Sequence, residues 1–267
     1  MSRCRAVVAG AAAAALGLAA AGCGADVEPG ATTTTAATPA TGTATAARAT
    51  TGRAPAATAA TAARSSGAPA RLQEPLAFHV RRRTQLREQP GGKVVTTIRP
   101  RTEFRSPQIL AVAGRKPGWV LVRTSVRGHH VGWLPTRSGA LFSEPRTIVV
   151  DLSRRTLSVF HRGRLTDVYR VAVGARGTET PTGTFGVTDR LTLRPGTPYG
   201  CCVLALTARQ PKIPQGWGGG DRVAIHATPD EAAVGKAVSH GCLRASDRTL
   251  RRLMARIRLG TPVTIHQ

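Results

Sequence analysis

From Leu76 onward the chain is written in short apolar, often β-branched runs broken by glycine, proline and arginine. Between Leu76 and Leu141 the clearest are Val94–Ile98, Ile109–Val112, Trp119–Val122 and Val131–Leu134, with frequent turn residues and no helical period. That spacing predicts a small, strongly bent β-barrel over 73–143. From Arg146 the pattern sharpens. Thr147–Leu152 and Thr156–Phe160 read as a hairpin turning at Ser153-Arg154-Arg155, and Arg162-Gly163-Arg164 turns into Val168–Val173. Thr180-Pro181-Thr182-Gly183 punctuates a loop before Thr184–Val187, and the runs Cys202–Leu206 and Val223–His226 follow. One helix stands out. Ser246 or Asp247 caps it, Leu250, Leu253, Met254 and Ile257 fall at i, i+3, i+4 and i+7, and Gly260 with Pro262 stops it. Val263–Ile265 closes a second unit, 146–267, expected to be mainly β with one packed C-terminal helix.

Upstream the pattern vanishes. Residues 28–71 contain no Val, Ile, Leu, Met or aromatic residue. Such a stretch cannot bury enough apolar surface to offset its ordering entropy, so 24–72 is expected to be a disordered tether. Met1–Arg5 is a short cationic head before an Ala/Val/Leu run from Ala6 to Ala21, which suits an export signal over 1–23 and is too short for a stable span. The run ends in Ala20-Ala21-Gly22-Cys23, which resembles a lipoprotein processing box. Cys23 is therefore the expected lipidation site, and the expected location is the outer face of the cytoplasmic membrane.

The 267 residues carry 38 Lys+Arg against 14 Asp+Glu, a net charge of +24. Nearly all of the basic residues are arginine, and they are not gathered into a patch: 14 basic face 4 acidic residues over 71–145, and 19 face 8 over 146–267. An anionic envelope surface is the expected partner, and no nucleic acid is expected. Apolar residues are spread too evenly for several membrane spans.

Cysteine usage locates the chemistry. Cys4 leaves with the signal and Cys23 is set aside for lipid. Cys201 and Cys202 are neighbours whose Cα atoms stand ~3.8 Å apart, closer than the usual disulfide span. They are expected as two free or buried thiols, with a vicinal disulfide as the alternative. That leaves Cys242 as the lone thiol, in the Gly-flanked turn Ser239-His240-Gly241-Cys242-Leu243-Arg244. A thiol of pKa ~8.5 is mostly protonated at neutral pH, so nucleophilic work needs a nearby imidazole or positive field. His226, sixteen residues earlier at a strand end, and His240 can supply one. The amides around Gly241-Cys242 can form an oxyanion hole. Zinc held by His226, His240 and Cys242 is the alternative reading, but no cofactor or metal is expected.

Ser239-His240-Gly241-Cys242-Leu243-Arg244, preceded by Ile225-His226 and by Thr180-Pro181-Thr182-Gly183, resembles the L,D-transpeptidase (YkuD-type) catalytic domain. Likewise Gly118-Trp119-Val120 and Gly132-Trp133-Leu134 resemble the closing strands of bacterial Src-homology-3-like domains, with both tryptophans expected in the core. His129-His130 is expected in a solvated turn. The first resemblance implies a cysteine acyltransferase acting on peptidoglycan stem peptides. Cys242 would attack the diaminopimelate carbonyl of a tetrapeptide stem and expel D-Ala, and an amine of a second stem would resolve the thioester into a 3→3 cross-link. His226 would be the base, held by a backbone carbonyl around Ala227. Ser239, His240 and Gly241 would shape the pocket, and Arg244 would pair with a substrate carboxylate. Tyr199 and Trp217 would line the groove, and carbapenem-type inhibitors would acylate Cys242. The alternatives are an L,D-carboxypeptidase and a non-catalytic wall-binding scaffold.

Overall fold

The computed structural model describes residues 74–194, 196–212 and 218–267. The expected export signal with Cys23, the expected tether and Trp217 lie outside the described residues. Among the described residues no helix is long and apolar enough to cross a membrane.

Seven antiparallel strands form the first sheet: β1 (Leu76–Val80), β2 (Thr84–Arg87), β3 (Val94–Ile98), β4 (Ile109–Lys116), β5 (Trp119–Val126), β6 (His129–Pro135) and β7 (Gly139–Ser143). Their spatial order is β3-β2-β6-β5-β4-β1-β7. Period two along β5 turns Val120 and Val122 inward, where Phe78, Leu86, Leu110 and Leu134 join them in a core of their own. The same alternation puts Trp119 and Trp133 on the outer face, half-buried, so neither fills the core as expected. Trp133 instead lies under the Lys116 ammonium, 5.3 Å from the ring centre. His129 and His130 also depart from expectation. The turn is Arg127-Gly128, and His129 already pairs with Val126 as the first residue of β6.

The remaining elements are β8 (Arg146–Asp151), β9 (Thr156–His161), β10 (Arg164–Arg170), β11 (Val173–Gly174), β12 (Gly183–Thr192), β13 (Cys202–Arg209), β14 (Arg222–Ala227), β15 (Ala237–Ser239), β16 (Leu243–Ala245), α1 (Asp247–Arg256) and β17 (Pro262–His266). Eight of the strands make one sheet in the order β10-β9-β8-β17-β12-β13-β14-β16, while β11 and β15 form a separate parallel pair. The β8–β17 and β14–β16 contacts are parallel. Every residue of β14 is buried, which explains why it reads as a continuous run and not as an alternation. The expected strand Val168–Val173 is divided: β10 ends at Arg170, and Val173 crosses to pair with Ala237 of β15.

Helix α1 packs on β13 and β14. Ser246 is its N-cap, the hydroxyl accepting from the Thr249 N–H at 3.2 Å, and Leu250 and Leu253 are its buried face. Strands β4 and β5 lie against β12 and β13, and the described residues belong to one compact unit.

Candidate active site

The chemistry gathers where β14 meets β16. The parallel register sets Ile225 opposite Leu243, His226 opposite Arg244 and Ala227 opposite Ala245. His226 is therefore the penultimate residue of a buried strand, and Cys242 sits one residue before the strand that flanks it. The Ala224 N–H donates to Cys242 Sγ at 3.4 Å, seating the sulfur against the backbone of β14 two residues from His226. Arg244 is fixed from both sides, by its pairing with His226 and by reciprocal backbone hydrogen bonds with Ala172. Its guanidinium acts electrostatically on His226, Cys242 and Tyr199 alike, and its Nε is buried without a hydrogen-bond partner among the described residues.

The imidazole has an unambiguous tautomer. His226 Nδ1 lies 2.6 Å from the Ala227 carbonyl oxygen. A carbonyl only accepts, so Nδ1 carries the proton and Nε2 is left with a lone pair. Burial lowers the His226 pKa to about 4; the Ala227 hydrogen bond works the other way, and Arg244 lowers it further. Burial also pushes the Cys242 thiol up to about 11, a rise that the Ala224 N–H and Arg244 only partly offset. At neutral pH the two groups therefore rest as thiol and neutral imidazole.

Ser239 and Gly241 build the turn that presents the sulfur. Ser239 Oγ donates to the Cys242 carbonyl at 2.6 Å and accepts from the Gly241 N–H at 3.1 Å. Gly241 has φ +112°, and a Cβ there would stand 2.8 Å from Gln210 Cγ, so glycine is needed on both counts. Because the Gly241 amide is committed to Ser239, of the two amides expected to form an oxyanion hole the Cys242 N–H is the one left to do so. His240, between Ser239 and Gly241 in this turn, is exposed. Tyr199 is half-buried and meets the His226 ring edge to face, with centroids 5.0 Å apart and planes at 70°.

Several supports have partners too distant in the chain to be found by motif. The Ala175 N–H and Thr178 Oγ1 both donate to the Ser239 carbonyl, at 2.8 and 3.0 Å. Thr180 Oγ1 accepts from the Gly174 N–H, and Gln210 Nε2 donates to the Glu179 carbonyl. The Thr180-Pro181-Thr182-Gly183 motif was the available signal for this brace. Cys201 and Cys202 form a vicinal disulfide, which corrects the expectation of two free thiols. The turn Thr197–Gly200, closed by a hydrogen bond from the Gly200 N–H to the Thr197 carbonyl, brings the chain into that bridge. A cavity of about 500 Å³ lies between the Thr197–Cys201 segment and the start of α1 and does not touch Cys242 or His226.

Residues 145–265 match the L,D-transpeptidase catalytic domain. Two curated Bacillus proteins provisionally named L,D-transpeptidase YkuD are similar to part of this chain. The one from Bacillus licheniformis is 37% identical over 121 residues, covering 45% of this chain and 66% of the relative. The one from Bacillus subtilis is 34% identical over 126 residues, covering 47% and 69%. This chain belongs to the YkuD-type L,D-transpeptidase family. It spans about two thirds of the length of those relatives. Among solved structures, L,D-transpeptidase 3 of Mycobacterium tuberculosis with a faropenem-derived adduct is similar over 51% of this chain and 73% of its own (17% identity, TM-score 0.40). An L,D-transpeptidase from Mycobacterium smegmatis is similar over 65% and 89% (19% identity, TM-score 0.39). At those values the solved structures add nothing to the sequence match. In YkuD-type terms, Cys242, His226, Ser239, Gly241 and Arg244 converge on one strand seam, while His240 flanks it.

Proposed function

We propose that this protein is a peptidoglycan L,D-transpeptidase that forms 3→3 cross-links through a thioester on Cys242. The observation that carries this reading is the seam itself: a buried imidazole with its Nε2 lone pair, a thiol seated against the same strand, and a turn whose own hydrogen bonds engage the Gly241 amide and leave the Cys242 N–H uncommitted. As Sγ attacks the diaminopimelate carbonyl, its proton passes to His226 Nε2. The Cys242 N–H stabilises the developing oxyanion. Collapse expels D-Ala, whose nitrogen takes the proton from His226. An amine of a second stem then attacks the thioester, gives its proton to His226 and leaves the cross-linked product, and the proton returns to sulfur. Arg244, with its unpartnered Nε, pairs with a carboxylate of the donor stem. Tyr199 and Trp217 line the groove in this reading, and carbapenem-type inhibitors acylate Cys242.

The finer assignments complete the proposal. Residues 1–23 direct export and lipidation of Cys23, 24–72 tether the protein at the outer face of the membrane, and 73–143 form a Src-homology-3-like barrel beside the catalytic domain 146–267. Incubation of the purified protein with disaccharide-tetrapeptides is expected to give 3→3 dimers, and Cys242→Ala none. Dimers from both proteins in equal yield would end the proposal. Free tripeptide as the main product would identify water as acceptor and assign an L,D-carboxypeptidase.

A further inference from the structure

One short segment, Tyr199–Cys202, runs beside His226, and its anchors lie outside the motif. Tyr199 packs edge to face with the imidazole. Gly200, at φ +59°, approaches β14 so closely that a Cβ would stand 2.5 Å from both Ala227 Cβ and Asp247 Oδ1. Ala227 is the residue whose carbonyl holds His226 Nδ1. Next come Cys201 and Cys202, joined to each other. The Cys201 N–H donates to Asp247 Oδ1 at 3.1 Å, and its carbonyl accepts from the Leu193 N–H at 2.9 Å. Cys202 opens β13, whose following residue, Val203, pairs with His226. The segment that touches the imidazole is thus tied to the first residue of α1 and to the strand beside His226, with the bridge between the two ties. Cys201 also lines the cavity of about 500 Å³, which does not touch Cys242.

We propose that the Cys201–Cys202 bridge and Asp247 are positioning elements for His226, so that acyl transfer depends on the oxidation state of the bridge. The inference rests on the acyl-transfer reading above. Closed, the bridge holds Tyr199 on the imidazole and fixes the ring that takes the proton of Cys242 in the acyl-transfer reading. A dithiol reductant opens it in two steps. One reagent thiolate attacks Cys201 Sγ and releases Cys202 as a thiolate, which takes a proton. The second reagent thiol then closes on the first, leaves as a cyclic disulfide and frees Cys201 as a thiol. The protein gains two electrons and two protons, and the reagent loses them.

The test uses the full chain, air-oxidised or treated with dithiothreitol and desalted, with bridge state read by intact mass and with imipenem as the acylating probe. On reduction the limiting acylation rate is expected to fall about ten- to a hundredfold, while the imipenem concentration giving half that rate changes little. Reoxidation should restore it. Asp247→Ala should match the reduced protein, and Asp247→Asn, which keeps the acceptor oxygen, should stay near wild type. A merely structural role would not give this separation of rate from binding, nor rescue by asparagine. The His226 Cε1 proton resonance, which senses the ring current of Tyr199, should move on reduction independently of any acylation. Equal rates and an unmoved resonance, or Cys201 and Cys202 both found as free thiols in the oxidised protein, would overturn the inference. If the oxidised protein is not acylated at all, the transpeptidase reading fails, and the resonance alone decides whether the bridge positions the ring.

Discussion

A buried imidazole and a buried thiol that are both neutral at rest set the pH behaviour of the site. His226 titrates at about 4 in the fold against its usual 6.5, and Cys242 at about 11. The reactive pair, neutral imidazole with thiol, is thus populated across neutral pH, and the proton moves during attack and not before it. Imipenem acylation is expected to stay flat between pH 6 and pH 9 and to fall with a midpoint near 4, as measured by stopped-flow. A rise through pH 8–9, as for an ordinary thiolate, would contradict it. Stability follows the same titration. Between pH 6.5 and about 4 the unfolded chain binds a proton that folded His226 refuses, so stability is full above 6.5 and declines by about 3 kcal/mol as pH falls through that window. Much of this site was legible from residue type alone: a lone thiol, a turn glycine and a histidine at a strand end. The role of Asp247 was not, because it meets Cys201 across 46 positions, and the Cys201–Cys202 bridge stood only as the alternative, because adjacent cysteines lie closer than the usual disulfide span.

Among the elements, α1 and β14 carry the site for different reasons. Helix α1 was readable because its cap and its apolar spacing agree, and it differs from expectation only at its end, where Ile257 packs as the C-cap and not as a helical residue. Removing the capping hydroxyl in Ser246→Ala should cost about 1 kcal/mol of unfolding free energy in urea. Leu253→Ala, which empties space between α1 and the sheet, should cost about 2–5 kcal/mol. The ordering of these two variants separates capping from packing, and a cap cost above the cavity cost would refute the assignment. Strand β14 was readable only as an apolar run, since burial on both faces erases alternation. The short strands β11, β15 and β16 were missed because two or three residues carry no period. Their places are set by backbone partners, as where Arg244 pairs with both His226 and Ala172.

At the scale of the whole molecule, a buried ion group joins the two sheets. Arg222 opens β14, and its guanidinium donates to Asp189 Oδ2 at 2.9 Å while also pairing with Glu103 from the loop between β3 and β4. Thr102 of the same loop donates to the other Asp189 oxygen, Phe104 lies against the guanidinium, and Arg209 reaches the Ser125 carbonyl from β13. Nothing in the sequence marked this, because three chain segments far apart supply it. Asp189 and Arg222 are both buried, whereas Glu103 is 56% exposed. Their substitutions should therefore differ in kind. Arg222→Ala strands the Asp189 carboxylate away from water and should destabilise the full chain by about 3–5 kcal/mol. Glu103→Gln leaves the buried pair intact and should cost about 1 kcal/mol or less. Urea unfolding of both variants at pH 7 measures the difference. Because Arg222 lies four residues before His226 on the same strand, a Glu103→Gln protein of near-native stability should also keep its imipenem acylation rate. A large loss of rate in that variant would mean that the first sheet steers the imidazole directly through this loop, and not only through the packing that holds β14 in place.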